Sequence, residues 1–301
     1  MINWGILGLG RMGTAFANAI DETTNSKLIS IASKSGKTFK DFKNETYENL
    51  IGNNKIDAIY VATLNNTHTD LIKKILRKNK KILCEKPVST SLVESLEVRK
   101  LVLEKKIHFY EAIAYYCHSQ TLELLDLINN GEIGEIQSVE SNFGFKGKFN
   151  PSSRLFNKSL GGGVIFDLGC YPLSFFMLLT KNPEKIAIKS KTLNYSKSEV
   201  VDDATAVLDY ENKFECKIHV SFKENLNNIC KINGSKGFIK INEPWLPNQN
   251  STIEVSSNKH FYIKSINSKL SIYANQIEKV SQSFMKKNTK LNLFNIEKSL
   301  I

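Results

Sequence analysis

Apolar positions follow two regimes along the chain. In the first, short continuous apolar runs alternate with stretches of helical spacing. The runs are a short one starting at Ile2, then 27–33, 56–63, 81–84 and 107–112, with helices expected at 14–20, 68–78 (capped by Thr67) and from Ser89 or Thr90 to about 104. Near-continuous apolar strands separated by helices predict a doubly wound parallel sheet. From about Ser119 the pattern changes. A helix with apolar Leu122, Leu125 and Ile128 fills 120–130, a second spans 164–179, and alternating stretches follow at 136–145, 185–193, 204–210, 214–222, 229–232 and 238–241. Few helices separate them after Thr180, which predicts a mainly antiparallel open sheet; Asn248 to Ser251 reads as a polar loop. The expectation is α/β in two domains: residues 1–118 a doubly wound, Rossmann-type parallel sheet, and 119–301 an α/β domain built on the open, mainly antiparallel sheet.

Composition narrows this without changing it. With 41% hydrophobic and 24% charged residues, the 301-residue chain reads as soluble and globular. No apolar run approaches a membrane span, and Arg11 and Asp21 interrupt any signal-peptide pattern. Five scattered cysteines with no metal-ligand spacing predict a reduced, cytoplasmic protein without a metal. The net charge of +11 comes mostly from lysines spread along the whole chain, without aromatic interleaving. It argues for anionic small ligands rather than nucleic acid or a membrane surface.

Gly8-Leu9-Gly10-Arg11-Met12-Gly13 follows the first apolar run and opens the first helix, so Gly8, Gly10 and Gly13 have the G-x-G-x-x-G spacing in its proper context. A tight turn, a close backbone approach to pyrophosphate and close helix–strand packing each require one glycine, and the helix N-terminus faces the phosphates. Where an NAD-preferring fold carries a carboxylate, this chain has Ser33-Lys34; a hydroxyl and a cation favour a 2′-phosphate, hence NADP over NAD, unless Lys34 is one more exposed lysine. Thr63 to His68, with Asn65 between, and Glu85-Lys86 also fall at strand carboxyl ends, where such sheets bind ligands. Lys86 precedes a proline directly after a buried strand and faces the cofactor crevice; His68 alone reads more readily as a helix-start polar residue. In the second half, Gly161-Gly162-Gly163 lets backbone approach a ring closely. Asp167 and Tyr171, four apart on the next helix, either line a pocket or are a capped helix with a core tyrosine.

Taken together, these residues resemble the glucose–fructose oxidoreductase, inositol dehydrogenase and MocA family (Gfo/Idh/MocA). The stretches that carry the match are Gly8 to Gly13, Val61 to His68, Cys84-Glu85-Lys86-Pro87 and Gly161 to Pro172; Glu111-Ala112, Tyr115, Gly131 to Gly134, Asp202-Asp203, Ile232 to Gly237 and Pro244-Trp245 extend it. Tyr171, where other branches have His, is similar to the dimeric dihydrodiol dehydrogenase and xylose dehydrogenase branch. The resemblance implies hydride transfer between a nicotinamide and a CH–OH group of a sugar, polyol or cyclic diol. It implies Tyr171 as acid/base with Lys86 as partner and Asp167 on a substrate hydroxyl, and it puts Tyr115 and His118 at the substrate pocket. An ammonium beside a phenol favours phenolate, which suits that role. A homodimer through the open sheet is also implied. Tyr116 in place of the usual Arg, Ser119 in place of Pro, and a terminal helix ending early at residue 301 depart from the pattern. The competing functions are a non-catalytic NADP-binding regulator and a sugar-modifying enzyme that recycles tightly bound nicotinamide.

Overall fold

In a computed structural model, described over residues 1–180, 183–257, 260–285 and 293–298, the chain divides into two compact units. One is Met1–Cys117 with Leu270–Leu300; the other centres on His118–Lys269. The sequence expectation gave everything beyond residue 118 to the second domain. The described residues after 269, 270–285 and 293–298, instead belong with the first.

The first unit opens with β1 (Ile2–Leu7), α1 (Arg11–Ala19), β2 (Ser26–Ala32), a two-residue β3 (Asn44–Glu45) and α2 (Tyr47–Gly52). It continues with β4 (Ala58–Val61), α3 (His68–Arg77), β5 (Lys81–Cys84), α4 (Leu92–Lys105) and β6 (Phe109–Glu111). The six strands are parallel in the order β3-β2-β1-β4-β5-β6, the doubly wound sheet expected from the alternating pattern. β4 is buried at all four positions, which is why its sequence shows no alternation.

Two caps differ from expectation. Ser91, not Ser89 or Thr90, caps α4 by accepting from the Glu94 amide, while Ser89 Oγ donates to the Glu94 carboxylate. Thr67 occupies the cap position of α3 without capping it: its hydroxyl turns back to Thr63 Oγ1 and the Leu64 carbonyl, both at 2.7 Å.

The second unit runs α5 (Ser119–Asn129), β7 (Ile136–Gly144), α6 (Cys170–Leu179), β8 (Ile186–Tyr195), β9 (Val201–Tyr210), β10 (Phe214–Ser221), β11 (Ile229–Gly234), β12 (Gly237–Asn242), β13 (Asn250–Ser257) and β14 (Phe261–Asn267). Its eight-stranded sheet has the order β14-β13-β12-β11-β7-β10-β9-β8. Every pairing is antiparallel except β10 with β7. α5 packs on β13 and β14, and α6 on β7 and β10, so the helices cover one face. The opposite face carries Glu140, Asn142, Thr205, Lys217 and His219 around a shallow groove.

One stretch, Lys158–Leu179, meets a membrane span in length and mean hydropathy, contrary to the expectation that none would. It is not one helix. Residues 161–163 interrupt it, a π-type turn at Ile165–Gly169 follows, and α6 then buries Phe175, Phe176 and Met177 among the sheet side chains.

α7 (Ile272–Met285) returns to the first unit. Its buried Ala274, Ile277, Val280 and Phe284 join Trp4, Phe16, Ile20 and Leu28 in one hydrophobic cluster. Residues 293–298 add a bridge between Asn295 and Tyr110; 299–301, the end of the expected terminal helix, lie outside the described residues.

Candidate active site

The glycine loop behaves as its spacing demands. Gly8 has φ +92°, and a Cβ there would sit 2.4 Å from the Ala62 carbonyl oxygen. A Cβ on Gly13 would sit 2.0 Å from the Gly8 oxygen, because α1 packs directly on the turn. A Cβ on Gly10 would meet nothing within 4 Å. The middle glycine therefore faces open space at the start of α1, where a diphosphate needs the room and the free N–H groups. This cradle fits a dinucleotide. Leu9 is buried beside it, while Arg11 and Met12 form the first turn of α1.

At the end of β2, Ser33 and Asn44 clamp each other. The Ser33 amide donates to Asn44 Oδ1 at 2.7 Å, and Asn44 Nδ2 donates to the Ser33 carbonyl at 3.0 Å. Ser33 and Ser35 share a hydroxyl–hydroxyl bond of 2.9 Å. The Lys34 ammonium lies 5.9 Å from the Tyr47 ring centroid, so the cation is steered by a side chain that the sequence reading did not single out.

The loop after β5 is fixed from three sides. The Glu85 amide donates to the Val61 carbonyl, and its buried carboxylate accepts from the Tyr60 hydroxyl. Tyr60 in turn stacks on Phe16 at 4.1 Å. His68 is fully buried, with Nδ1 2.8 Å from the Pro87 carbonyl and Nε2 3.3 Å from the Thr63 carbonyl. Burial holds its pKa below the ordinary value, so the ring is neutral at pH 7 and the shorter contact marks Nδ1 as the donor. The Val88 amide completes the clamp on the Glu111 carboxylate at 3.0 Å. His68 thus ties the Thr63–Asn65 turn to the loop that carries Lys86, and its buried ring braces the two.

In the second unit, residues 161–163 lead into the turn carrying Asp167. Gly163 has φ +120°, and a Cβ on Gly162 would sit 2.8 Å from two carbonyl oxygens, those of Leu155 and Asn157. Asp167 Oδ1 accepts from Arg154 at 2.9 Å, with the carboxylate side chain 13% exposed and the arginine half-exposed. Arg154 was assigned no role from the sequence; its place seven residues before Gly161 was the available signal. Tyr171 lies one turn on, with its ring edge-on to Phe143 at 5.3 Å and tilted on Trp245 at 6.4 Å. Trp245 is fixed by an indole N–H bond to the Asn142 carbonyl.

Two expected substrate residues are fully buried. Tyr115 packs edge-on against Tyr116 at 5.1 Å, and His118 caps α5 by accepting from the Gln120 amide at Nδ1. Tyr116, which departs from the usual Arg, is itself buried against Phe294 and has the Lys298 ammonium 5.5 Å from its ring centroid.

Residues 2–112 match the oxidoreductase family with the NAD-binding Rossmann fold, and residues 121–240 match the GFO/IDH/MocA C-terminal domain. The chain belongs to the GFO/IDH/MocA oxidoreductase family. It is 25% identical over 255 residues to the trans-1,2-dihydrobenzene-1,2-diol dehydrogenase of Xenopus tropicalis, covering 81% of this chain and 76% of that protein. It is 24% identical over 247 residues to the D-xylose 1-dehydrogenase (NADP(+)) 2 of Haloferax volcanii, covering 79% and 75%. Among solved structures, the 3-ketoreductase KijD10 of Actinomadura kijaniata, in complex with NADP and TDP-benzene, shares the fold with TM-score 0.88 at 20% identity, over 99% of this chain and 94% of that one. The chain is an oxidoreductase with a Rossmann domain for a nicotinamide dinucleotide.

Proposed function

We propose that this oxidoreductase uses NADP to interconvert a carbinol and a carbonyl on a sugar, polyol or cyclic diol. The observation that carries the reading is the open glycine cradle, built in one unit with Ser33-Lys34 and the braced loop of Lys86. The relatives named for xylose and dihydrodiol oxidation support the substrate class.

Gly8 to Gly13 hold the diphosphate, Ser33 and Lys34 the 2′-phosphate, and Thr63, Asn65 and Glu85 line the crevice. When bound, the nicotinamide accepts or supplies the hydride. Tyr171 takes or returns the hydroxyl proton. Lys86 holds the substrate hydroxyl or the nicotinamide ribose, and Asp167, paired with Arg154, orients a hydroxyl on the substrate. His118 and Tyr115 support the pocket wall through packing.

The outward face of the eight-stranded sheet is proposed to receive a second copy of the chain. Lys264 bonds to Glu123 on α5 and Tyr262 to Glu132 in the turn that follows it, which turns Phe261 and Ile263, 61% and 58% exposed, to the opposite side. The five cysteines are thiols rather than disulfides, which suits a cytoplasmic location.

Tyr171→Phe tests the reading. Turnover of aldoses, inositols and trans-dihydrodiols with NADP(H) should be lost while the NADPH dissociation constant stays within twofold. Retained turnover overturns the role of Tyr171, and no hydride exchange by the wild-type chain with any of these classes overturns the catalytic reading.

A further inference from the structure

α7 brings a phenol back to the glycine loop. Tyr273 lies in the first turn of α7, and its hydroxyl is 3.9 Å from the Met12 sulfur, 261 residues earlier in sequence. The start of the helix is anchored rather than loose: the Ser271 amide and hydroxyl both donate to the Glu22 carboxylate, at 2.9 and 2.7 Å. The Glu278 carboxylate further along takes the Thr24 amide and hydroxyl, both at 2.9 Å.

The half-buried phenol borders both strand-end loops of the crevice. It packs against the cluster that holds Phe16 and Tyr60. The charges acting on it are Glu85, Arg11 and Lys86: one lies in the glycine loop, the other two in the loop after β5. Burial first, then the Glu85 carboxylate, push its pKa above the ordinary phenol value, so it is a protonated donor at neutral pH. Its acceptor among the described residues is a thioether, a weak one. A diphosphate or ribose oxygen would be a far stronger partner.

We propose that Tyr273 is a coenzyme-binding residue whose hydroxyl turns from Met12 to donate a hydrogen bond to the diphosphate–nicotinamide ribose half of the dinucleotide. The proposal rests on the dinucleotide reading of the glycine cradle, not on Tyr171 or the substrate. It also gives a ligand-directed reason for α7 to belong to the first unit.

Tyr273→Phe keeps the ring and removes only the donor. The test measures, by calorimetry on the substrate-free protein, the affinities for NADPH and for adenosine 2′,5′-bisphosphate, which lacks the nicotinamide half; NADH with AMP is the parallel pair. Loss of a hydrogen bond to a charged acceptor should weaken the dinucleotide about tenfold or more and leave the adenosine fragment unchanged. Unchanged dinucleotide affinity overturns the proposal. An equal loss for both ligands also overturns it, because it assigns the phenol to folding. Wild-type protein that binds neither ligand overturns the cradle reading and this inference with it.

Discussion

The indole N–H of Trp4, in the first strand, donates to the hydroxyl of Ser281, 277 residues later, at 3.0 Å and out of contact with water. Ser26 Oγ shares the same serine at 2.7 Å. The first strand of the cofactor domain is thus completed by the last helix of the described chain. Ser281→Ala leaves two buried polar groups without this partner. Urea unfolding should show a loss of about 1–3 kcal/mol; an unchanged midpoint would show that water or a rearranged serine replaces the bond.

The three glycines of the loop should separate experimentally. Gly13→Ala places a methyl against the Gly8 carbonyl, and thermal melting of the ligand-free protein should report a destabilisation of about 1–3 kcal/mol. Gly10→Ala points its methyl into open space, so the ligand-free protein should melt like wild type while NADPH affinity falls tenfold or more. Equal behaviour of the two variants would contradict the cradle geometry.

Lys34 carries the coenzyme preference proposed above. Replacement by Ala should weaken NADPH about tenfold or more, the magnitude of a hydrogen bond to a charged group, and barely change NADH. Direct titration of both coenzymes decides it, and equal losses would refute a 2′-phosphate role. Asn44→Ala, which releases the clamp on Ser33, should act in the same direction but more weakly.

His68 predicts a pH dependence of stability. Its folded pKa is depressed by burial below the unfolded value near 6.5. Between the two values the unfolded chain binds more protons, so stability rises with pH in that window and is lost as pH falls below about 6.5. His108, depressed by burial and by Lys81, adds a slope of the same sign. Urea melts at pH 7.5 and 5.5 should show this loss, and His68→Gln should reduce the difference. An undiminished difference in that variant would move the effect elsewhere.

The strongly periodic elements were legible in the sequence; those whose buried face is mixed were not. The β5 run was placed to the residue and most other expected elements to within a few, because each presents a continuous apolar or alternating pattern. α7 escaped notice because its buried face includes Gln276, Ser281 and Ser283, which blur a 3.6-residue stripe. β13 was partly taken as a polar loop at 248–251, although Ile253 and Val255 alternate with Thr252 and Glu254. β14 has exposed Phe261 and Ile263 on one side and salt-bridging Lys264 on the other, a pattern that matches neither a buried nor a half-buried strand.

By itself the sequence determined the two-part α/β architecture, the glycine cradle and the residues with the right chemistry, since these depend on local spacing: period 2 or 3.6, a proline after a strand, three glycines at fixed intervals. Tertiary structure alone decided what each of those residues touches. It buried His68 as a brace, Tyr115 in packing and His118 as a cap; it paired Asp167 with Arg154; and it carried Tyr273 to the glycine loop. Such assignments depend on contacts between residues far apart in the chain, and no periodicity within a segment encodes the partner it will meet.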